Sequence, residues 1–154
     1  MPHPVTYASY LRLQELLELQ TPRSEGPEHD EMLFIVVHQA YELWFKQILH
    51  ELDRMQALLA QDDTVRVRHV LKRVLTILKV LVTQLDILET MTPLEFLTFR
   101  DRLESGSGFQ SFQFRALEFA LGNKRRSAVE HYPQDSARGA WLEERYERPT
   151  VWGS

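Results

Sequence analysis

The sequence contains no cysteine among its 154 residues. Disulfides, zinc–thiolate sites, iron–sulfur clusters and thiol catalysis are therefore excluded for this chain. An excess of basic charge is also missing, since the net charge is −4 and the pI is about 5.9. The bulk charge thus gives no argument for binding to nucleic acid or to an anionic membrane.

Long apolar runs are scarce as well. The longest, MLFIVV at residues 32–37, is far shorter than the ~20 residues that a helix needs to cross a bilayer. The stretch MPHPVTYASYLRL lacks the basic segment and following apolar block of a signal peptide. With 44% hydrophobic and 26% charged residues, we expect a globular, soluble, cytoplasmic protein.

The hydrophobic pattern that is present has the period of an α-helix. Glycine-bounded alternating strands are absent, so the sequence predicts an all-α fold built as a bundle of long antiparallel helices. In the clearest segment, two adjacent apolar stripes make a face too wide for a surface helix. The main stripe comprises Leu33, Val37, Ala40, Trp44, Ile48, Leu52, Met55 and Leu59. A second long helix spans Val67 to Leu88 after a polar turn in which Asp63 is a candidate N-cap.

Shorter helices flank this pair. Tyr7–Leu19 has helical spacing and predicts one short helix. Thr92-Pro93-Leu94-Glu95 is a capping box with proline at the first helical position, and it starts a third helix that runs to about Leu103. Helical spacing returns after the glycine-containing loop and ends near Gly122, which suits a helix C-terminus.

The character of the chain changes after residue 124. Residues 125–154 are polar and broken by prolines, with one predicted short helix at Ser136–Tyr146. We therefore divide the chain into a helical domain, residues 1–124, and a polar, partly helical tail, residues 125–154. His131, in VEHYPQ, is interpreted as a surface-loop histidine rather than a metal ligand.

His38 is the one imidazole within the apolar stretch FIVVHQAYELWFK, residues 34–46. A single histidine on an apolar helix face is most often a core residue hydrogen-bonded to a neighbour. The alternative is a hydrogen-bond acceptor in a dry pocket, a role that needs the neutral ring. Glu42 lies four residues on and could share a metal, but it is equally placed to pair with Lys46. The Glu-x-x-His motif of di-iron bundles does not occur.

Arg100 follows the apolar sequence FLTF, with Phe96 one turn before it and Leu103 one turn after it. Most such arginines extend to water, but beside an aromatic pocket an arginine is well suited to hold a carboxylate through two hydrogen bonds. The loop SGSG at residues 105–108 could bind an anion through backbone N–H groups, although such loops are common. A basic flank on the second long helix predicts a solvated face: Arg66, Arg68, Lys72, Arg73 and Lys79.

Four blocks of the sequence resemble the N-terminal half of the tryptophan 2,3-dioxygenase family. They are TYASYLRLQELL, HDEMLFIVVHQAYELWFKQ, LETMTPLEFLTFRDRL and SGFQSFQFRALEFALGNK, which cover the chain in order from Tyr7 to Lys124. The resemblance implies an all-α, homotetrameric, cytoplasmic enzyme that uses haem b iron. Such an enzyme opens the indole ring of L-tryptophan with O₂ to give N-formylkynurenine, in the kynurenine pathway of tryptophan catabolism.

The resemblance also implies roles for single residues. His38 would be the catalytic residue, because it accepts a hydrogen bond from the indole N–H. Phe34 would pack against both the indole and the haem. Arg100 would hold the substrate carboxylate, and Phe96 and Leu103 would add walls to the substrate pocket.

Two further groups take their roles from the same resemblance. Tyr7, Tyr10 and Leu11 match residues that reach into the pocket of a neighbouring subunit. Ser107 and Gly108 match a loop that covers the distal face of the haem and so would contact the cofactor.

Some positions depart from the family pattern. Phe96 stands where some members carry tyrosine, Leu85 where some carry tryptophan, and Gly106 where serine or alanine is common. The family's proximal haem ligand, a histidine of the C-terminal half, has no counterpart in this sequence, and neither does the Gly-rich loop of that half. Two alternatives therefore stay open: a non-catalytic helical oligomerisation piece, and another haem enzyme of the superfamily with a different aromatic substrate.

Overall fold

The computed structural model describes residues 3–26, 28–103, 111–130, 132 and 136–153. Within these ranges the chain is all-α, as predicted, and contains no β-strand beyond one isolated bridge between Thr150 and Gly153. No helix in the described ranges is long and apolar enough to cross a bilayer. The helices are α1 (Tyr7–Leu11), α2 (Leu13–Leu17), α3 (His29–Ala60), α4 (Thr64–Leu88), α5 (Pro93–Arg100), α6 (Phe112–Ala120), α7 (Arg126–Glu130) and α8 (Ala137–Glu147), with a 3₁₀ turn at Asp101–Leu103.

The long helices α3 and α4 form an antiparallel pair. The Asp63 side chain accepts a hydrogen bond from the Arg66 N–H at 3.2 Å, which confirms the predicted N-cap of α4. Across the pair, Tyr41 Oη donates to the Leu81 carbonyl at 3.0 Å, and the Arg73 guanidinium contacts Glu51 at 2.9 Å. Both contacts join residues at similar distances from the connecting turn, as antiparallel packing requires.

The core lies where α3, α4, α6 and α8 meet. Its buried members are Ile48, Leu49, Leu52, Met55, Leu58, Val70, Val74, Ile77, Leu81, Ala116, Leu117, Phe119, Val129 and Leu142. The prediction that Trp44 and Leu59 are buried was wrong, since they are 37% and 42% exposed. Leu49 and Leu58 are buried in addition to Ile48, Leu52 and Met55, and α3 packs against both α4 and α6.

The segment predicted as one helix over Tyr7–Leu19 is two helices. Arg12 adopts the left-handed conformation, with φ 51° and ψ 48°, which ends α1 and begins α2. No residue of either helix is buried, so no packing against the body enforces a continuous helix. Helical spacing therefore identified the conformation but not the break.

The predicted ends of the shorter helices are largely confirmed. Thr92 and Glu95 form the capping box at the start of α5. The α-helical part of α5 ends at Arg100 rather than near Leu103, because the last turn tightens into a 3₁₀ turn. Gly122 follows α6 with φ 102°, the left-handed conformation expected of a residue just beyond a helix C-terminus.

The tail is packed on the rest of the chain. Ser136 caps α8, and Arg145 makes a bidentate contact with Asp53 of α3 at 2.6 and 2.9 Å. Farther on, the Val151 N–H donates to the Ala120 carbonyl at 3.0 Å. The division of the chain at residue 124 stays a prediction.

A buried carboxylate fixes the segment before α3. Glu31 is 0% exposed and accepts hydrogen bonds from the Arg23 N–H, from the Ser24 N–H at 3.1 Å and from the Ser24 hydroxyl at 2.8 Å. Burial alone would raise the pKa of Glu31, but these hydrogen bonds outweigh it and the pKa lies below the usual value. Glu31 is therefore ionised and hydrogen-bonded at neutral pH.

Replacing Glu31 with glutamine should lower the free energy of unfolding by about 1–3 kcal/mol at neutral pH. Because the folded-state pKa is depressed, the stabilisation is present above the unfolded-state value of about 4.3 and is lost as the pH falls through the folded-state pKa. Urea unfolding of Glu31→Gln across this range should show the difference shrinking in acid. A difference that does not depend on pH would contradict this account, and Glu28→Gln, an exposed neighbour, is the control.

Candidate functional site

Three phenylalanine rings join α3 to α5, and we call them the aromatic cluster: Phe34, Phe96 and Phe99. Their ring centroids are 5.5–5.7 Å apart in all three pairs. Phe99 is completely buried, whereas Phe34 and Phe96 are half-buried and keep part of each ring exposed. Phe34 and Phe96 therefore form a partly exposed apolar surface packed on Phe99. Sequence reasoning missed Phe99, although it lies on the same turn as Phe96.

His38 stacks on this cluster. Its ring centroid lies 4.2 Å from that of Phe34, with the planes tilted by 34°. The His38 Nδ1 atom lies 2.8 Å from the Phe34 carbonyl oxygen. Because a carbonyl only accepts, Nδ1 carries the proton and Nε2 of the neutral ring is a hydrogen-bond acceptor. Nε2 makes no hydrogen bond to the described part of the chain, so only one of the two ring nitrogens of His38 has a hydrogen-bond partner there.

Arg100 ends α5 one turn after Phe96. Its side chain is exposed, and no hydrogen bond or ion pair joins it to any residue in the described ranges. Within the described ranges this guanidinium is therefore unpaired, and it lies on the same helix as Phe96. Leu103 closes the 3₁₀ turn that follows.

The geometry does not favour a metal shared by His38 and Glu42, which the sequence left open beside a Glu42–Lys46 pair. Gln113 of α6 donates to the Glu42 carboxylate at 2.8 Å and to the Glu42 carbonyl at 2.9 Å. The Glu42 side chain is therefore engaged by α6, and the part of the chain that the structure describes holds no group of three metal-ligating residues. Sequence reasoning missed Gln113, because nothing in its local pattern indicates a partner 71 residues away.

The other predicted site residues are not brought to the cluster by any described contact. Tyr7 and Tyr10 are each 75% exposed and Leu11 is also exposed, all three on α1. Ser107 and Gly108 lie outside the described residues. His38, Phe34, Phe96 and Arg100 are thus the predicted residues that the fold assembles on two contacting helices.

Comparison with known protein families identifies the family of this chain. The family model of tryptophan 2,3-dioxygenase matches residues 3–147. The chain belongs to the tryptophan 2,3-dioxygenase family. The match includes every predicted site residue and continues past residue 124, which confirms the resemblance recognised in the four sequence blocks.

Curated tryptophan 2,3-dioxygenases align with nearly all of the chain. The protein from Herpetosiphon aurantiacus is 58% identical over 154 residues, which is 100% of this chain and 59% of that protein. The one from Anaeromyxobacter dehalogenans is 52% identical over 150 residues, 97% of this chain and 56% of the relative. The one from Xanthomonas campestris is 45% identical over 148 residues, 96% of this chain and 50% of the relative. The chain thus spans between half and three-fifths of the length of these relatives.

Proposed function

We propose that this chain provides the substrate-orienting part of a haem-dependent dioxygenase that opens the indole ring of L-tryptophan with O₂ to N-formylkynurenine. One observation carries the proposal: a histidine with an acceptor nitrogen stacks on an aromatic cluster whose second helix ends in an arginine that has no partner among the described residues. An acceptor, a flat apolar surface and a guanidinium match the N–H, the ring and the carboxylate of tryptophan.

The aromatic cluster and His38 recognise the indole. The exposed parts of Phe34 and Phe96 provide apolar contact to a flat ring and exclude water from it. Nε2 of His38 accepts the indole N–H, because Nδ1 already donates to the Phe34 carbonyl.

Arg100 orients the other end of the substrate. A guanidinium binds a carboxylate through two parallel hydrogen bonds, which fixes direction as well as position. Held at both ends, tryptophan loses its rotational freedom before the reaction, and this lowers the barrier through proximity and orientation. These residues supply placement and a dry environment.

Among the described residues, Phe34 would contact haem b. Haem b, when bound, supplies the activation of O₂. The exposed part of Phe34 is an apolar surface that suits a planar macrocycle, and Ser107 and Gly108 are proposed to cover the same face. No residue of this chain is assigned as a ligand of the haem iron.

We extend the proposal to the assembly. Tyr7, Tyr10 and Leu11 expose apolar surface that their own chain does not bury, and we place them at the substrate site of a neighbouring subunit in a homotetramer. The exposure of these side chains supports this placement, since large exposed apolar side chains commonly mark contact surfaces.

A split-enzyme assay tests the proposal. The chain is combined with hemin, alone and together with a separately expressed polypeptide carrying the remainder of the Herpetosiphon relative, and the iron is reduced to the ferrous state with ascorbate. We expect a Soret shift and tryptophan-dependent O₂ uptake that yields N-formylkynurenine. The absence of haem binding in both mixtures would favour a non-catalytic helical oligomerisation piece. Turnover of a different aromatic compound in place of tryptophan would favour the related-enzyme alternative.

In this assay, His38→Ala should reduce kcat/KM for tryptophan roughly tenfold, the cost of one lost hydrogen bond in a dry site. With 1-methyltryptophan, which lacks the indole N–H, wild type and variant should differ far less. His50→Ala, an exposed histidine on the same helix, is the control and should leave both values unchanged. An equal loss with both substrates would mean that His38 does not accept the indole N–H.

A further inference from the structure

Residues 3–20, which we call the arm, have little contact surface of their own to hold them in place. No residue of α1 or α2 is buried, and the left-handed Arg12 bends the arm between these helices. Apolar burial therefore does not fix the direction in which the arm leaves the body. Its position depends on the contacts at its C-terminal end.

Gln39 of α3 makes those contacts with both halves of its amide. Its Nε2 donates to the Leu19 carbonyl at 3.0 Å, and its Oε1 accepts from Gln20 Nε2 at 2.8 Å. Gln20 Nε2 also donates to the Leu16 carbonyl at 2.9 Å. The two amides thereby contact the carbonyls of Leu16, in the last turn of α2, and of Leu19, just beyond that helix. We call this set of hydrogen bonds the clasp.

Only an amide of this length can make the clasp. Gln39 must donate to one group and accept from another, which a carboxylate of the same size cannot do. Leucine at this position would lose both hydrogen bonds at nearly the same volume. The residue type at position 39 is thus determined by the arm rather than by the core.

The clasp lies on the same turn of α3 as His38. Gln39 follows His38 in the chain, and successive helix residues point about 100° apart, so the arm is joined to α3 one residue from His38 on a face turned by that angle. Glu31 holds the next part of the chain through Arg23 and Ser24. Residues 19–24 are therefore attached to α3 on both sides of the turn that carries Phe34 and His38.

We propose that Gln39 is a positioning residue, which fixes the arm relative to the His38 turn and thereby sets the affinity for tryptophan. The inference rests on the proposed function, in which Tyr7, Tyr10 and Leu11 of the arm contribute to the substrate site of a neighbouring subunit. With the clasp intact, those side chains are delivered in one orientation. Without the clasp, these three side chains are not ordered beforehand. Ordering them each time tryptophan binds costs free energy, which weakens the binding.

The experiment compares Gln39→Leu and Gln39→Glu with the control Gln56→Leu. Gln56 also lies on α3 and donates its amide to a backbone carbonyl, that of Pro149 at 2.6 Å, far along the helix from the clasp. Hydrogen–deuterium exchange of the backbone amides of residues 3–20, measured on the chain alone, shows whether the clasp is formed. The split-enzyme assay reports KM and kcat.

Both Gln39 variants should speed exchange in the arm, raise KM for tryptophan roughly tenfold and leave kcat within about twofold, because no reacting group is altered. Gln56→Leu should change neither the arm nor KM. Faster arm exchange with an unchanged KM would overturn the inference while leaving the proposed function intact, and so would arm exchange that does not change at all. If His38→Ala and Arg100→Ala were also without effect, the proposed function itself would fail.

Discussion

Replacing Arg100 with alanine should raise KM for tryptophan roughly 10- to 100-fold in the split-enzyme assay, with a smaller change in kcat. The range corresponds to the loss of charge-assisted hydrogen bonds to the substrate carboxylate. Arg100 is exposed at the end of α5 and has no ion pair in the described ranges, so its removal leaves no buried partner unsatisfied. The loss should therefore appear in substrate binding rather than in protein stability.

A series of variants and substrates separates this role from a general effect of charge. Arg100→Lys keeps the charge but loses the bidentate geometry, and its KM should lie between those of wild type and alanine. KM for tryptamine, which lacks the carboxylate, should be the same for wild type, Arg100→Lys and Arg100→Ala. Arg68→Ala removes an exposed arginine of α4 and should leave KM unchanged. A KM for tryptophan that stays constant across the series would show that Arg100 does not hold the carboxylate.

Replacing Phe119 with alanine should have the largest effect on stability, lowering the free energy of unfolding by about 3–5 kcal/mol. Phe119 is 1% exposed in the core between α3 and α8, and its ring meets Tyr146 of α8 edge-on, with centroids 5.4 Å apart. Truncation leaves a cavity and removes an aromatic pair that joins the tail to the body. Denaturant unfolding monitored by circular dichroism measures the change.

Phe114→Ala is the matched control, on the same helix but 40% exposed. It should cost at most about 1 kcal/mol, as for most substitutions near the surface. An equal decrease in the free energy of unfolding for the two variants would mean that α6 does not pack through Phe119 as described. A separate early unfolding step in Phe119→Ala would indicate that α8 detaches first.

Much of the architecture could be predicted from local pattern. The capping box at Thr92, the N-cap at Asp63 and the glycine after α6 are short-range features, since each depends on residues within one turn. The period of α3 likewise persists over its whole length. The break at Arg12 could not be predicted in this way, because spacing reports which residues share a face and not whether the helix is continuous.

Residue types, spacing and the family resemblance predicted part of the candidate site. The single histidine in an apolar stripe, the arginine after FLTF and the four family blocks were enough to name His38, Phe34, Phe96 and Arg100, and their family is confirmed. Which neighbours complete the site depends on contacts between residues far apart in the chain. The support from Phe99 and the Gln113–Glu42 hydrogen bonds exist only because α5 and α6 pack on α3.

The sequence by itself determined the helical class, the helix-forming segments and the family, because these follow from periodicity, caps and residue identity. Only the tertiary structure decided that Gln39 holds the arm and that Gln113 binds Glu42. Those two results depend on distances of about 3 Å between specific atoms. Such distances are set by how side chains turn and helices pack, which no one-dimensional pattern records.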